Sequence, residues 1–138
     1  MDPAVRFGVS ISEKLLTKFD NMINNKGYVN RSEALRDLIR NYIVEQEWDS
    51  NEETVGTITI VFSHHINELN DVLADIQHQY HKSIISSTHV HLDAHNCMEV
   101  LIVKGKAKEI TSISDKIIGT KGVKHGKLTM TTTGKAID

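Results

Sequence analysis

His89-Val90-His91-Leu92-Asp93-Ala94-His95-Asn96-Cys97-Met98-Glu99-Val100-Leu101-Ile102-Val103 lies within a chain of 138 residues and reads as strand, turn, strand. A strand alternates its side chains, so His89 and His91 leave the same face. Asp-Ala-His-Asn is turn-forming, and Cys97 opens the next apolar run. A hairpin here carries the thiol back towards the two imidazoles. Two nitrogens and one sulfur converging in this way are the beginnings of a transition-metal site. Two exposed histidines on a strand and an ordinary buried cysteine would leave the same spacing.

Outward from this hairpin the apolar pattern keeps a clear order. Residues 55–62 read as a strand. Residues 67 to about 81 read as a helix, with Leu69, Val72, Leu73, Ile76 and Tyr80 as its stripe. The hairpin strands cover 84–92 and 97–104. Residues 106–118 are helical through Ile110, Ile113 and Ile117, and 123–132 close as a strand. The sum over 54–138 is β-α-β-β-α-β, a ferredoxin-like (ACT-like) domain suited to metal sensing and oligomerisation. Glu47-Trp48-Asp49-Ser50-Asn51-Glu52-Glu53 is polar and acidic, which sets a linker at 49–53 after a first domain of 1–48. The fold class expected is α+β.

In that first domain Val5, Phe7, Val9 and Ile11 alternate strictly with Arg6, Gly8 and Ser10, the pattern of a half-buried strand. Ser12 can cap a helix carrying Leu15, Leu16, Phe19, Met22 and Ile23, and Gly27 is placed to end it. Asn30, with Glu33 three residues on, starts a second helix carrying Leu35, Leu38, Ile39, Tyr42 and Ile43. The strand has no partner within this half, and unpaired backbone groups are costly where buried. Two such helices are also too small a core to stand alone. The economical solution is two chains pairing their strands antiparallel with four helices behind.

Arg6, Gly8 and Ser10 then stand on the exposed face of a two-stranded ribbon. Such a ribbon fits the DNA major groove, where Arg can bridge guanine O6 and N7. The N-terminus of the second helix, with Asn30 and Arg31, can hold a phosphate. These elements in this order resemble the ribbon-helix-helix DNA-binding family. Its members usually carry a hydroxyl or amide side chain where this chain has Gly8, so base reading falls to Arg6 and Ser10. A dimerisation module with a merely solvated polar face would share the pattern.

Composition narrows the classes. No stretch approaches the roughly 18 consecutive apolar residues of a membrane span, and the chain opens on a strand pattern rather than a leader. One cysteine cannot form an internal disulfide, and a reducing cytoplasm suits a thiol kept for a ligand. The formal net charge is −2, and residues 1–48 hold as many Asp and Glu as Lys and Arg. DNA affinity would therefore come from placed contacts rather than bulk attraction. All 8 histidines lie between positions 64 and 125.

Two or three imidazoles with one thiolate suit Zn, Cu or Ni, whereas hard cations would want carboxylates. A planar set points to Ni(II) or Cu(II), a tetrahedral one to Zn. The fourth ligand must come from His78, His81, His64, His65, His95 or His125. Four features combine here: Tyr28-Val29-Asn30-Arg31-Ser32-Glu33-Ala34-Leu35-Arg36-Asp37, His89-Val90-His91 with Cys97, Gln77-His78 upstream of them, and Lys121-Gly122-Val123-Lys124-His125-Gly126-Lys127-Leu128. In order and spacing they resemble the nickel-responsive transcriptional regulators over essentially the whole chain.

That resemblance implies square-planar Ni(2+) held by His89, His91 and Cys97 of one chain and His78 of a neighbour. It implies a homotetramer, a dimer of dimers, acting as a repressor on a palindromic double-stranded DNA operator when nickel is plentiful. Glu99 would support the ligands, and Glu33 with Asp37 would correspond to a lesser cation site between the domains. His64 and His65 stand where relatives can carry basic, DNA-contacting residues. No enzymatic activity, membrane or organic substrate is implied. A metal hydrolase with water at an open position is one competing reading, and a regulator sensing a small organic molecule is another. Residues 78–83, polar and rich in His and Gln, are expected to be loosely held until an ion orders them.

Overall fold

The computed structural model describes residues 2–137. Two compact units divide between Ile43 and Val44. In the first, α1 (Glu13–Asn25) starts where the Ser12 hydroxyl accepts the Leu15 N–H at 3.2 Å. It stops just before Gly27, whose φ of +80° favours a residue without Cβ. The next helix, α2 (Arg31–Asp49), starts where Asn30 Oδ1 accepts the Glu33 N–H at 2.9 Å. Both caps are those the sequence predicts.

The strand expected over residues 5–11 is not formed. Residues 2–12 have no regular structure, and Val5, Phe7, Val9 and Ile11 are exposed. The reason is the one that made the strand conspicuous: a ladder needs a second strand, and no described residue supplies one.

The second unit has the expected element order: β1 (Glu53–Ser63), α3 (Leu69–Gln79), β2 (Ile84–His91), β3 (Asn96–Lys106), α4 (Ala107–Ile118) and β4 (Val123–Met130). The sheet runs β2-β3-β1-β4, and all three pairings are antiparallel. β1 and β3 take the centre and bury alternate residues, Ile58, Ile60 and Phe62 from one and Cys97, Leu101 and Val103 from the other. Leu69, Leu73 and Ile76 of α3 and Ile110, Ile113 and Ile117 of α4 join the same core. Edge strand β2 is exposed along nearly all its length.

The chain departs from the expected layout around residue 48. α2 continues to Asp49, and its last turns belong to the second unit. Trp48 is buried in that core, and its Nε1 donates to the Thr131 carbonyl at 2.8 Å. Glu47 is buried too and accepts the Thr132 hydroxyl at 3.0 Å. An indole and a satisfied carboxylate thus anchor the end of α2, just before the polar stretch 49–53, to the second unit.

Residues 78–83 are likewise held more firmly than their polarity suggested. The Ser83 and Ile84 N–H groups both donate to the Tyr80 carbonyl, and the Lys104 N–H donates to Ser83 O at 2.8 Å. The buried Ser83 hydroxyl donates to Glu109.

Candidate metal centre and nucleic-acid face

The β2–β3 ladder sets His91 opposite Cys97 and His89 opposite Glu99, while β1 brings Phe62 opposite Cys97 from the other side. Directly opposed residues share a face. The four polar groups therefore project from the same sheet face as Ile58, Ile60 and Phe62. Cys97 is fully buried. Its Sγ lies 3.3 Å from His91 Nδ1 and 3.3 Å from His64 Nδ1. One donor atom from each of these three residues falls within 4.8 Å of the others. The His89 ring stands 5.2 Å from that of His91 and edge-on to Phe62 at 5.7 Å.

The hairpin turn is held by one carboxylate. Asp93 Oδ1 accepts the His95 N–H at 2.7 Å and the Asn96 N–H at 2.8 Å, and the Asn96 side-chain amide adds to them. The His95 N–H foremost, then the Asn96 donors, hold the Asp93 carboxyl down at about 2. The His64 N–H donates to the His95 carbonyl at 3.1 Å and so ties the end of β1 to this turn. Loss of solvent around His64, followed by repulsion from the imidazoles of His65, His91 and His95, lowers its pKa.

Glu99 is buried and accepts a hydrogen bond from Gln77 Nε2 at 3.2 Å. A cavity of about 360 Å³ opens beside this pair, with His89 and Asn70 in its wall. His78 is exposed in the last turn of α3. Its ring stacks on that of His81 at 6.0 Å, and its carbonyl lies 3.0 Å from His81 Nδ1. It is not among the three clustered donors. The structure thus gathers Cys97 with His91, sets His89 alongside, leaves His78 on the surface, and adds His64.

His64 is the surprise of the site. Sequence spacing offered it only as one of six candidates for a fourth ligand. Its place follows from β1 pairing with β3, a contact 33 residues distant in sequence. Only the strand order, with β1 next to β3, would have singled it out.

Two imidazole nitrogens on a thiol, with no carboxylate among the three donors, match a borderline transition ion and not calcium or magnesium. The donor set therefore fits nickel, and the residues that would hold it are those around Cys97.

In the first unit Arg6, Gly8 and Ser10 are all exposed. Arg31 does not stand free for a phosphate. Its Nε and Nη2 grip both carboxylate oxygens of Asp20 at 2.9 and 2.8 Å, fastening the first turn of α2 to α1. That hydrogen bonding lowers the Asp20 pKa and raises that of Arg31. Glu33 pairs with Arg36 at 4.0 Å. Asp37 accepts the Tyr28 hydroxyl at 2.7 Å and pairs with Arg40 at 3.7 Å, and the Tyr28 pKa rises through that hydrogen bond.

Residues 55–131 match the family described as NikR C terminal nickel binding domain, and residues 5–46 match the ribbon-helix-helix proteins of the copG family. The chain belongs to the nickel-responsive regulators. A Geobacter sulfurreducens protein described as a nickel-responsive regulator is 59% identical over 138 residues, covering 99% of each chain. A counterpart from Caldanaerobacter subterraneus is 61% identical over 98% of this chain and 88% of its own length. One from Pyrococcus horikoshii is 57% identical over 96% and 97%. A solved structure of an uncharacterized Thermotoga maritima protein shares the fold over 57% of this chain and 98% of its own, with a TM-score of 0.52 and 18% identity. The nickel-responsive regulators are DNA-binding transcription regulators and not enzymes, which sets the hydrolase reading aside. No described helix is long and apolar enough to cross a membrane.

Proposed function

We propose that this chain is a nickel-dependent repressor that acts in the cytoplasm on a palindromic operator and thereby controls nickel homeostasis. The observation that carries the reading is the buried Cys97 thiol with an imidazole nitrogen 3.3 Å away on each of two sides. A thiol whose sulfur faces imidazole nitrogens offers a soft donor beside borderline ones, the combination that suits a transition ion.

In the working assembly, a dimer of dimers, His89, His91 and Cys97 of one protomer and His78 of a neighbour hold the ion. The exposure of His78 and of nearly all of the β2 edge supports a ligand shared between chains. Glu99 and Gln77 orient the shell from behind, Glu99 directly across the ladder from His89. A bound nickel would supply a link between protomers. The ion acts by fixing one protomer against another through His78, at the edge of the 78–83 segment.

At the other end, two copies of residues 5–11 pair into a ribbon that presents Arg6 and Ser10 to base edges, with Gly8 leaving room for close approach. The first turn of α2, braced by the Arg31–Asp20 fork, offers its free N–H groups to a phosphate. Glu33 and Asp37 would take a lesser cation only by giving up Arg36, Tyr28 and Arg40. The metal-bound arrangement must favour one placement of the two ribbons over others, and that differential is the regulatory signal.

A mobility-shift titration of operator DNA with and without nickel tests the whole reading. Nickel-dependent retardation in the wild type and its loss in Cys97→Ala are expected. Equal retardation in both proteins, with and without the ion, would overturn it. Binding needs neutral imidazoles and a thiolate, so nickel affinity is expected to fall on acidification.

A further inference from the structure

Ser83 stands at the joint between α3, which ends just past His78, and β2, which carries His89 and His91. Connections of this kind are normally solvated, yet Ser83 is only 6% exposed. All of its polar groups are used. The N–H donates to the Tyr80 carbonyl at 2.9 Å, and the carbonyl accepts the Lys104 N–H at 2.8 Å. The hydroxyl donates to Glu109 Oε1 at 2.5 Å, the short length of a hydroxyl on a carboxylate. Any residue could make the two backbone bonds; only the third needs a hydroxyl here.

Glu109 lies in the first turn of α4 and Lys116 in its last, about two helical turns apart and so on one face. Lys116 Nζ is 3.4 Å from Gln79 Oε1, 3.5 Å from the Tyr80 hydroxyl and 5.3 Å from the centre of the Tyr80 ring. One helix thus braces the 79–83 segment at both ends. The Glu109 contact is the firmer of the two, because it is shorter and reaches a buried hydroxyl, while the Lys116 contacts are long and exposed. Ile110, Ile113 and Ile117 fix α4 itself in the core, so the brace leads back to the sheet that holds Cys97.

We propose that Glu109, acting through Ser83, is a positioning residue for nickel. It fixes the turn after α3 and so sets where His78 stands relative to His89 and His91. The inference rests on the reading in which His78 of one protomer completes the site of a neighbour. Each protomer then gives ligands to two ions, one through α3 and one through β2, and Ser83 is the joint that holds those two contributions in register. Neither Ser83 nor Glu109 touches an ion.

The test uses the full-length variants Ser83→Ala, Glu109→Gln, His78→Ala and Ser83→Ala/His78→Ala. Nickel affinity is measured by competition with a chelator, and amide exchange is measured on the metal-free proteins. Ser83→Ala is expected to weaken nickel binding about 3–10-fold, less than the loss of a group bonded directly to a ligand. Exchange should quicken at Ser83 and Ile84 and stay unchanged in β1 and β3. Glu109→Gln keeps an acceptor for the hydroxyl and is expected to bind nickel like the wild type. In the His78→Ala background Ser83→Ala should cost nothing further, since the brace then has no ligand to place. An equal loss in both backgrounds, or unchanged affinity in Ser83→Ala where His78→Ala weakens binding, would overturn the proposal alone. Unchanged affinity in His78→Ala would overturn it together with the shared-ligand reading.

Discussion

Two stretches of this chain alternate equally well and end up in opposite states. Ile58, Ile60 and Phe62 of β1 are 0–1% exposed, whereas Val5, Phe7 and Val9 are 85, 69 and 62% exposed. The difference lies in the neighbours. β1 has β3 on one side and β4 on the other, with two helices across its buried face. Residues 5–11 have no ladder partner among the described residues. Alternation specifies what a strand would bury; whether it forms depends on what the rest of the assembly supplies.

Substitution should separate the two stretches. Phe62→Ala removes a ring from a filled core and is expected to cost the second unit about 3–5 kcal/mol, read as a fall in its urea midpoint. Phe7→Asp is expected to leave that midpoint unmoved, within about 0.5 kcal/mol, while abolishing operator binding by preventing ribbon pairing. If Phe7→Asp binds operator normally, the pairing of two such segments is wrong.

Most of the second unit was legible because its signals are local and agree with one another. Period-2 runs became β1 to β4, Leu69, Leu73 and Ile76 became the buried stripe of α3, and Ser12 and Asn30 capped their helices. His91 and Cys97 could be paired from the hairpin alone. His64 could not, because its approach to Cys97 depends on strand order, which no spacing along the chain encodes. The reach of α2 to Asp49 was hidden for a similar reason. The long-range bond from Trp48 to Thr131 outweighs the polar composition around it. Residues 5–11 alternate as a strand would but form none, since no described residue gives them a ladder partner.

The next largest effect concerns the well-packed region. Cys97→Ala is expected to weaken nickel binding by more than about 100-fold, beyond what loss of an outer-shell partner causes. The thiolate absorption should vanish while the fold, read by circular dichroism, survives. Unchanged nickel affinity would remove the buried thiol from the site.

Smaller effects return to the N-terminal region. Ser12→Ala removes the cap of α1 and should cost that unit about 1 kcal/mol, visible as faster amide exchange in its first turn. The Arg31–Asp20 fork should show itself in acid. The folded-state pKa of Asp20 is depressed, so its stabilisation is present above the ordinary carboxylate range and is lost as pH falls through the lowered value. In Arg31→Ala, an NMR titration should find Asp20 returned to near the ordinary value of about 3.9. A titration identical to wild type would mean that the fork does not persist in solution.

The claim that joins the two regions is that an ion held around Cys97 favours one placement of the paired ribbons. Linkage then requires DNA and nickel to assist each other's binding. The direct measurement is the nickel affinity of the full-length protein with and without saturating operator DNA at fixed pH and salt. Tighter nickel binding in the presence of operator is the predicted result, and equal affinities would contradict it.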